Sequence, residues 1–110
     1  MKIELVNQDD VTVFRLVGHL DSNSTPDFEA QLFRVIDEGS RRILIDLLDV
    51  DFLGSVALRT FLLAVRKVAP AGGAMGLCAP NEAVRETLDA SGFSKLVRVF
   101  DSREEGVAHL

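Results

Sequence analysis

The sequence predicts a single α/β domain built on a mostly parallel β-sheet. Strand-like and helix-like segments alternate along most of the chain, in the order β-β-α-β-α-β-α-β-α. The segment Arg42–Leu47 contains three consecutive apolar residues without polar alternation, which is typical of a strand covered on both faces. A chain of 110 residues has room for one hydrophobic core, so we expect one domain over residues 1–110.

The predicted strands are short and mostly apolar. The first two, Lys2–Asn7 and Val11–Val17, flank the polar turn Gln8–Asp10, and we expect them to form a hairpin. The other three, in chain order, are Arg42–Leu47, Ala74–Cys78 and a short strand around Val97, Val99 and Phe100.

The predicted helices carry start and stop signals. The first begins within Ser22–Thr25, where several side chains could cap it ahead of Pro26, and it ends at Gly39. The second starts near Gly54 or Ser55 and runs to about Ala69. The other two are Glu82–Ala90, after a cap at Asn81, and Ser102–Leu110.

The composition argues against most enzyme classes. Twelve Lys and Arg against seventeen Asp and Glu give a net charge of −5, which disfavours nucleic acid as a partner. His19, His109 and Cys78 are too few and too far apart for a structural zinc site, and a lone cysteine cannot form an internal disulfide. Cys78 lies in an apolar strand and is expected to be a small buried hydrophobe. We therefore expect no catalytic, cofactor-binding or metal-binding residues.

The chain shows no export signal at its N-terminus and no apolar run of about 20 residues. We expect a cytoplasmic protein that does not insert into membranes.

Asp46, Asp49 and Asp51 cluster after the third predicted strand, in a segment interpreted as the loop Asp46–Asp51. One reading is a phosphoacceptor similar to a response-regulator receiver, using Asp46 or Asp49. However, Asp9 and Asp10, which would supply the acidic pair of such a receiver, lead into a strand rather than a helix. We favour a solvated loop whose acids also stabilise the N-terminus of the next helix.

Ser55 stands at the predicted start of the second helix and allows two compatible interpretations. As an N-cap, its hydroxyl would accept a backbone N–H and contribute about 1 kcal/mol. As a phosphorylation site, it would gain a charge of about −2 at a helix end that tolerates an anion.

Three stretches carry short motifs in a recognisable order and spacing. The first stretch, Gly18–Ser22, has the sequence G-H-L-D-S. The second, Ile43–Arg59, contains a strand ending in D-L followed by F-L-G-S-V-A-L. The third begins with Gly72–Gly73 and continues with Asn81–Arg85 and Ser91–Phe93. Together these stretches resemble the STAS domain, the fold of bacterial anti-sigma factor antagonists, over nearly the whole chain.

The resemblance implies an α/β fold with a mixed, mostly parallel sheet of about four to five strands and about four helices, and no enzyme activity. Stand-alone members of this kind bind an anti-sigma factor that is also a serine kinase, and so release a sigma factor. The kinase phosphorylates a serine at the start of the second helix, which maps onto Ser55, and a phosphatase reverses this. The alternative is a constitutive scaffold subunit of a stress-signalling assembly or of a lipid transporter complex.

The resemblance also places the partner-binding surface. We expect docking through the strand exit Gly18–Ser24, the loop Asp46–Leu53 and the start of the second helix, with the protein a monomer or weak dimer. The candidate partner-binding residues are Asp21, Ser22, Asn23, Asp49, Asp51, Gly54, Ser55, Val56 and Arg59. The chain departs from the family pattern around Ser55, because Gly54, Val56 and Ala57 stand where Asp, Ser and Gly are usual.

Overall fold

The computed structural model describes all 110 residues and contains one five-stranded sheet in the order β1-β2-β3-β4-β5. The strands are β1 (Lys2–Gln8), β2 (Val11–Leu20), β3 (Arg42–Leu53), β4 (Ala74–Cys78) and β5 (Arg98–Phe100). β1 and β2 form the predicted antiparallel hairpin, and every other neighbouring pair is parallel. The mixed, mostly parallel sheet is therefore confirmed.

Four α-helices connect or follow the strands. They are α1 (Thr25–Asp37), α2 (Ser55–Val68), α3 (Glu82–Ala90) and α4 (Arg103–His109). The predicted cap of α3 is confirmed, since the Asn81 side chain accepts a hydrogen bond from the Val84 amide at 2.8 Å. None of the helices combines the length and the apolar character needed to cross a membrane.

One face of the sheet carries the larger core. A cluster of 21 buried residues joins this face to α1, α2 and α3. The aromatic side chains Phe14, Phe28 and Phe61 meet edge to face at its centre, with ring centroids 5.8 and 6.1 Å apart. Such contacts add to the burial of apolar area, which is the main source of stability here.

The opposite face is covered by α4 alone. Its core has six buried residues, and Val107 of α4 packs there with Leu44, Cys78 and Phe100. Gly106 lets α4 approach closely, because a Cβ at this position would lie 2.7 Å from the Leu44 side chain.

Two strands are longer than predicted. β2 runs on to Leu20, with Gly18 inside the strand at φ +115°. β3 runs on to Leu53, so the loop predicted over Asp46–Asp51 is wrong, as is the exit loop predicted to start at Gly18.

Bulges in β3 explain why the sequence pattern did not predict the second half of this strand. Relative to β2, β3 gains one residue between Asp46 and Asp49 and another between Val50 and Phe52. The buried positions of this half are therefore Leu47, Val50 and Leu53, three residues apart, instead of the alternate positions of a regular strand.

Candidate partner-binding site

The candidate site lies where the β2–β3 ladder ends and α2 begins. Leu20 and Leu53 are the last paired residues, and the Gly54 amide donates to the Leu20 carbonyl at 2.8 Å. This bond joins the start of α2 to the end of β2. The residues that follow, Asp21 on one side and Ser55 on the other, are thereby brought to the same edge of the sheet.

Ser55 is the first residue of α2 and is exposed, and its hydroxyl makes no hydrogen bond within the protein. The N-cap is Gly54, whose carbonyl accepts from the amides of Ala57 and Leu58 at 3.1 and 3.3 Å. The capping role predicted for Ser55 is therefore wrong, because Ser55 already lies inside the helix. Its hydroxyl is free to react or to contact a partner.

Phe52 forms an apolar surface beside Ser55. Its side chain is 53% exposed, and Val56, one residue after Ser55, is exposed as well. A Cβ on Gly54 would lie 3.4 Å from a Phe52 ring carbon and 3.3 Å from the Leu20 carbonyl oxygen. A side chain at position 54 would press against both groups, so Gly54 suits the present position of the ring.

Asp21 holds the turn between β2 and α1. Its carboxylate accepts from the amides of Asn23 and Ser24 at 2.9 and 3.0 Å, and the Ser24 hydroxyl donates to the His19 carbonyl at 2.6 Å. The backbone N–H groups of Ser24 and Asn23 lower the pKa of Asp21, so this residue is an anion in the folded protein. The turn presents Ser22 and Asn23 to solvent.

His19 lies within the predicted docking segment Gly18–Ser24 and faces two acids. Its Nδ1 lies 3.5 Å from an Asp51 carboxylate oxygen, and its Nε2 lies 3.8 Å from one of Asp21. This position depends on the pairing of β2 with the bulged end of β3. No local pattern in the sequence could have revealed its contact with Asp51.

The three acids after the predicted third strand do not form one cluster. Asp46 is 4% exposed and accepts two hydrogen bonds from the Arg103 guanidinium, at 2.8 and 3.0 Å. Asp49 pairs with Arg15 at 2.6 Å, and Asp51 faces His19. The expectation of a solvated acidic loop is wrong for Asp46, since regular strand geometry turns its side chain toward α4.

This separation argues against the hypothesis of a phosphoacceptor similar to a response-regulator receiver, because Asp46 and Asp49 each pair with a different arginine.

The structure gathers no three His, Cys, Asp or Glu side chains in an arrangement that could hold a metal ion. Cys78 is buried, and burial raises the pKa of its thiol to about 12. A thiol with that pKa is protonated near neutral pH and is a poor nucleophile.

Comparison with known proteins now identifies the family. The model of the STAS domain matches residues 2–106. This chain belongs to the STAS domain family. The match covers every strand, the first three helices and residues 103–106 of α4.

Relatives of this STAS domain share its size and shape. BtrV of Bordetella bronchiseptica, named as an anti-sigma factor antagonist, is 32% identical over 98% of this chain and 93% of its own length. A crystal structure of a Thermotoga maritima protein with the same kind of name superposes with a TM-score of 0.91 at 22% identity, covering 96% of this chain and 92% of that one. The phosphorylated form of SpoIIAA from Bacillus superposes with a TM-score of 0.75 at 21% identity, covering 97% of each chain.

Proposed function

We propose that this STAS domain is an anti-sigma factor antagonist, a binding protein that is switched by phosphorylation of Ser55. The observation that carries the proposal is the exposed, unbonded hydroxyl of Ser55 at the first position of α2, beside the exposed Phe52 and Val56. The naming of BtrV as an antagonist over nearly the same length supports the kind of partner. In this proposal the partner is an anti-sigma factor that is also a serine kinase, and a phosphatase restores the unmodified form.

The proposed docking surface has the composition of a protein interface. Its centre is apolar, with Phe52 and Val56, and charged residues lie around that centre, with Asp21, Asp51 and Arg59 all solvent-accessible. Asn23 and Ser22 extend this surface along the turn before α1. Asp49 lies farther back on β3 in its pair with Arg15 and contributes at the margin.

The proposed switch is a phosphoryl transfer to Ser55. The serine oxygen forms a bond to the γ-phosphorus of ATP, the bond to the β–γ bridging oxygen breaks, ADP leaves, and the hydroxyl proton passes to a base of the kinase. The product adds a charge of about −2 at the centre of the docking surface, where desolvating it against a partner is costly. SpoIIAA, which shares this fold, has been solved in both unphosphorylated and phosphorylated forms.

The test begins with the cognate anti-sigma factor, ATP and Mg²⁺. Mass spectrometry should find a single phosphate on Ser55, and none on the Ser55→Ala variant. Isothermal titration should show that the phosphorylated protein binds the anti-sigma factor at least about 100-fold more weakly, a difference of about 2.7 kcal/mol. Ser91→Ala, which changes an exposed serine just after α3 and outside the proposed docking surface, serves as the matched control and should leave phosphorylation intact.

Two outcomes would contradict the proposal. One is phosphate on a residue other than Ser55, and the other is equal affinity of the modified and unmodified proteins. If Ser55→Ala and Ser55→Glu bind the same partners equally and no kinase is among them, the constitutive scaffold is the correct function.

A further inference from the structure

The arginine one turn after Ser55 has no assigned role within the fold. Arg59 is exposed and makes neither an ion pair nor a side-chain hydrogen bond. By contrast, Arg15, Arg85 and Arg103 each hold a carboxylate. We propose that Arg59 is the intramolecular receptor for a phosphate on Ser55, an inference that rests on the phosphorylation proposed above.

Helix geometry brings the two side chains together. Residues four apart on an α-helix have Cβ atoms about 5–6 Å apart on the same face. Both lie within α2, a regular helix of 14 residues, and both are exposed. The long arginine side chain spans this separation, and its planar guanidinium can donate two parallel hydrogen bonds to phosphate oxygens.

The charges on the other side of Ser55 direct the phosphate toward Arg59. A Cβ on Gly54 would lie 3.9 Å from the Cα of Asp21, which places that acid beside the helix start. Asp21 is an anion, and its carboxylate is already engaged by the Asn23 and Ser24 amides. Asp51 adds a second acid at the end of β3, and His19 lies between the two acids. A phosphate is repelled by these carboxylates, whereas the first turn of α2 contains no acid.

The pair gives the switch a second component. Before modification, Arg59 offers a partner a free cation at the edge of the docking surface. After modification, the phosphate engages that cation, so the partner loses a positive contact at the same time as it meets a new negative charge. The modification also fastens the first turn of α2 instead of loosening it.

The experiment places phosphoserine at position 55 by genetic encoding or chemical ligation, so no kinase is needed. ³¹P NMR then follows the loss of the second phosphate proton with pH at low ionic strength. In the otherwise unchanged protein the acid dissociation constant should be about twofold larger than in the Arg59→Gln variant, because a nearby cation favours the dianion. Arg66→Gln removes another exposed and unpaired arginine of α2, farther from the phosphate, and should leave the constant unchanged.

A side-chain signal gives an independent reading. The Arg59 Nε–H resonance should move on phosphorylation and return toward its original position in about 1 M salt, while that of Arg66 stays still. Identical titrations of the phosphoserine protein and its Arg59→Gln variant, with an unmoved Arg59 resonance, would overturn the inference. A kinase that ignores Ser55 would refute the proposed function and leave this ion pair measurable, so the two failures are distinguishable.

Discussion

The two halves of β3 differ in their strand pairing and in the exposure of their side chains. From Ile43 to Asp46 the strand is paired on both sides, with β2 and with β4, and its residues are buried. Beyond Asp46 it pairs with β2 alone, carries two extra residues and exposes Leu48 and Phe52. The first half is therefore part of the core of the fold, and the second half exposes the side chains that the proposed docking surface uses.

This difference lets one strand both form part of the core and expose side chains, as the proposed docking requires. A central strand needs regular pairing to bury its apolar side chains, whereas bulges free a strand to turn side chains outward. β4 ends at Cys78, opposite Asp46, so no strand pairs with β3 on that side farther on, where the Asn81 side chain donates a hydrogen bond to the Val50 carbonyl at 3.1 Å. Bulges are tolerated in the second half for this reason.

The largest expected effect comes from the first half of β3. Ile45 is fully buried between β2 and β4, and Ile45→Ala should lower the free energy of unfolding by about 2–5 kcal/mol. Leu48, three residues later, is 62% exposed, and Leu48→Ala should change the free energy of unfolding by less than about 0.5 kcal/mol. Denaturant titrations of both variants measure the contrast. Equal losses would contradict the division of the strand.

A smaller effect separates the two arginine-paired acids. Asp46→Asn leaves the partly buried Arg103 guanidinium without its carboxylate and should cost about 1–3 kcal/mol. Asp49→Asn breaks a pair that is more exposed to solvent than the Asp46–Arg103 pair and should cost less than about 1 kcal/mol. Thermal unfolding of both variants, together with an Arg103→Gln/Asp46→Asn double mutant, measures the coupling. If Asp49→Asn were the more harmful change, the assignment of Asp46 to the core would be wrong.

The dependence of the free energy of unfolding on alkaline pH tests how completely Cys78 of β4 is buried beside the first half of β3. Cys78 has a pKa of about 12 when folded, mainly because it is buried, against about 8.5 for a free thiol. The unfolded chain therefore loses this proton first, and stability falls as the pH rises above about 8.5. Between about pH 8 and 9.5 the free energy of unfolding should fall by about 1 kcal/mol. The Cys78→Ala variant should lack this contribution to the pH dependence. Rapid alkylation of the folded protein would show that the thiol is not enclosed.

The sequence predicts the regular elements of the fold better than it predicts the bulged second half of β3. In α1, Phe28, Leu32 and Ile36 recur at helical spacing, and the structure buries all three. In the second half of β3 the bulges replace alternation with a spacing of three, so the strand resembled a loop. His19 lies in the predicted docking segment Gly18–Ser24, but its contact with Asp51 could not be predicted, because only the pairing of β2 with β3 brings the two residues together.

The location of Ser55 was predicted from the helix start and the motif, but its exact role in the helix was not. Capping depends on backbone angles, and Gly54 adopts the extended φ of −83° and ψ of 171° that make it the N-cap. Burial of Asp46 depends on Arg103, which lies 57 residues away in the chain.

The most direct measurement of the central claim is the affinity of Phe52→Ala for the cognate anti-sigma factor, determined by titration calorimetry. Phe52 is exposed, so the variant should fold like the unmodified protein and bind at least about tenfold more weakly. The control is Leu96→Ala, which removes a comparably exposed side chain just before β5, at the opposite end of the sheet, and should bind normally. An unchanged affinity for Phe52→Ala, or an equal loss for Leu96→Ala, would contradict the claim that the bulged end of β3 presents the docking surface.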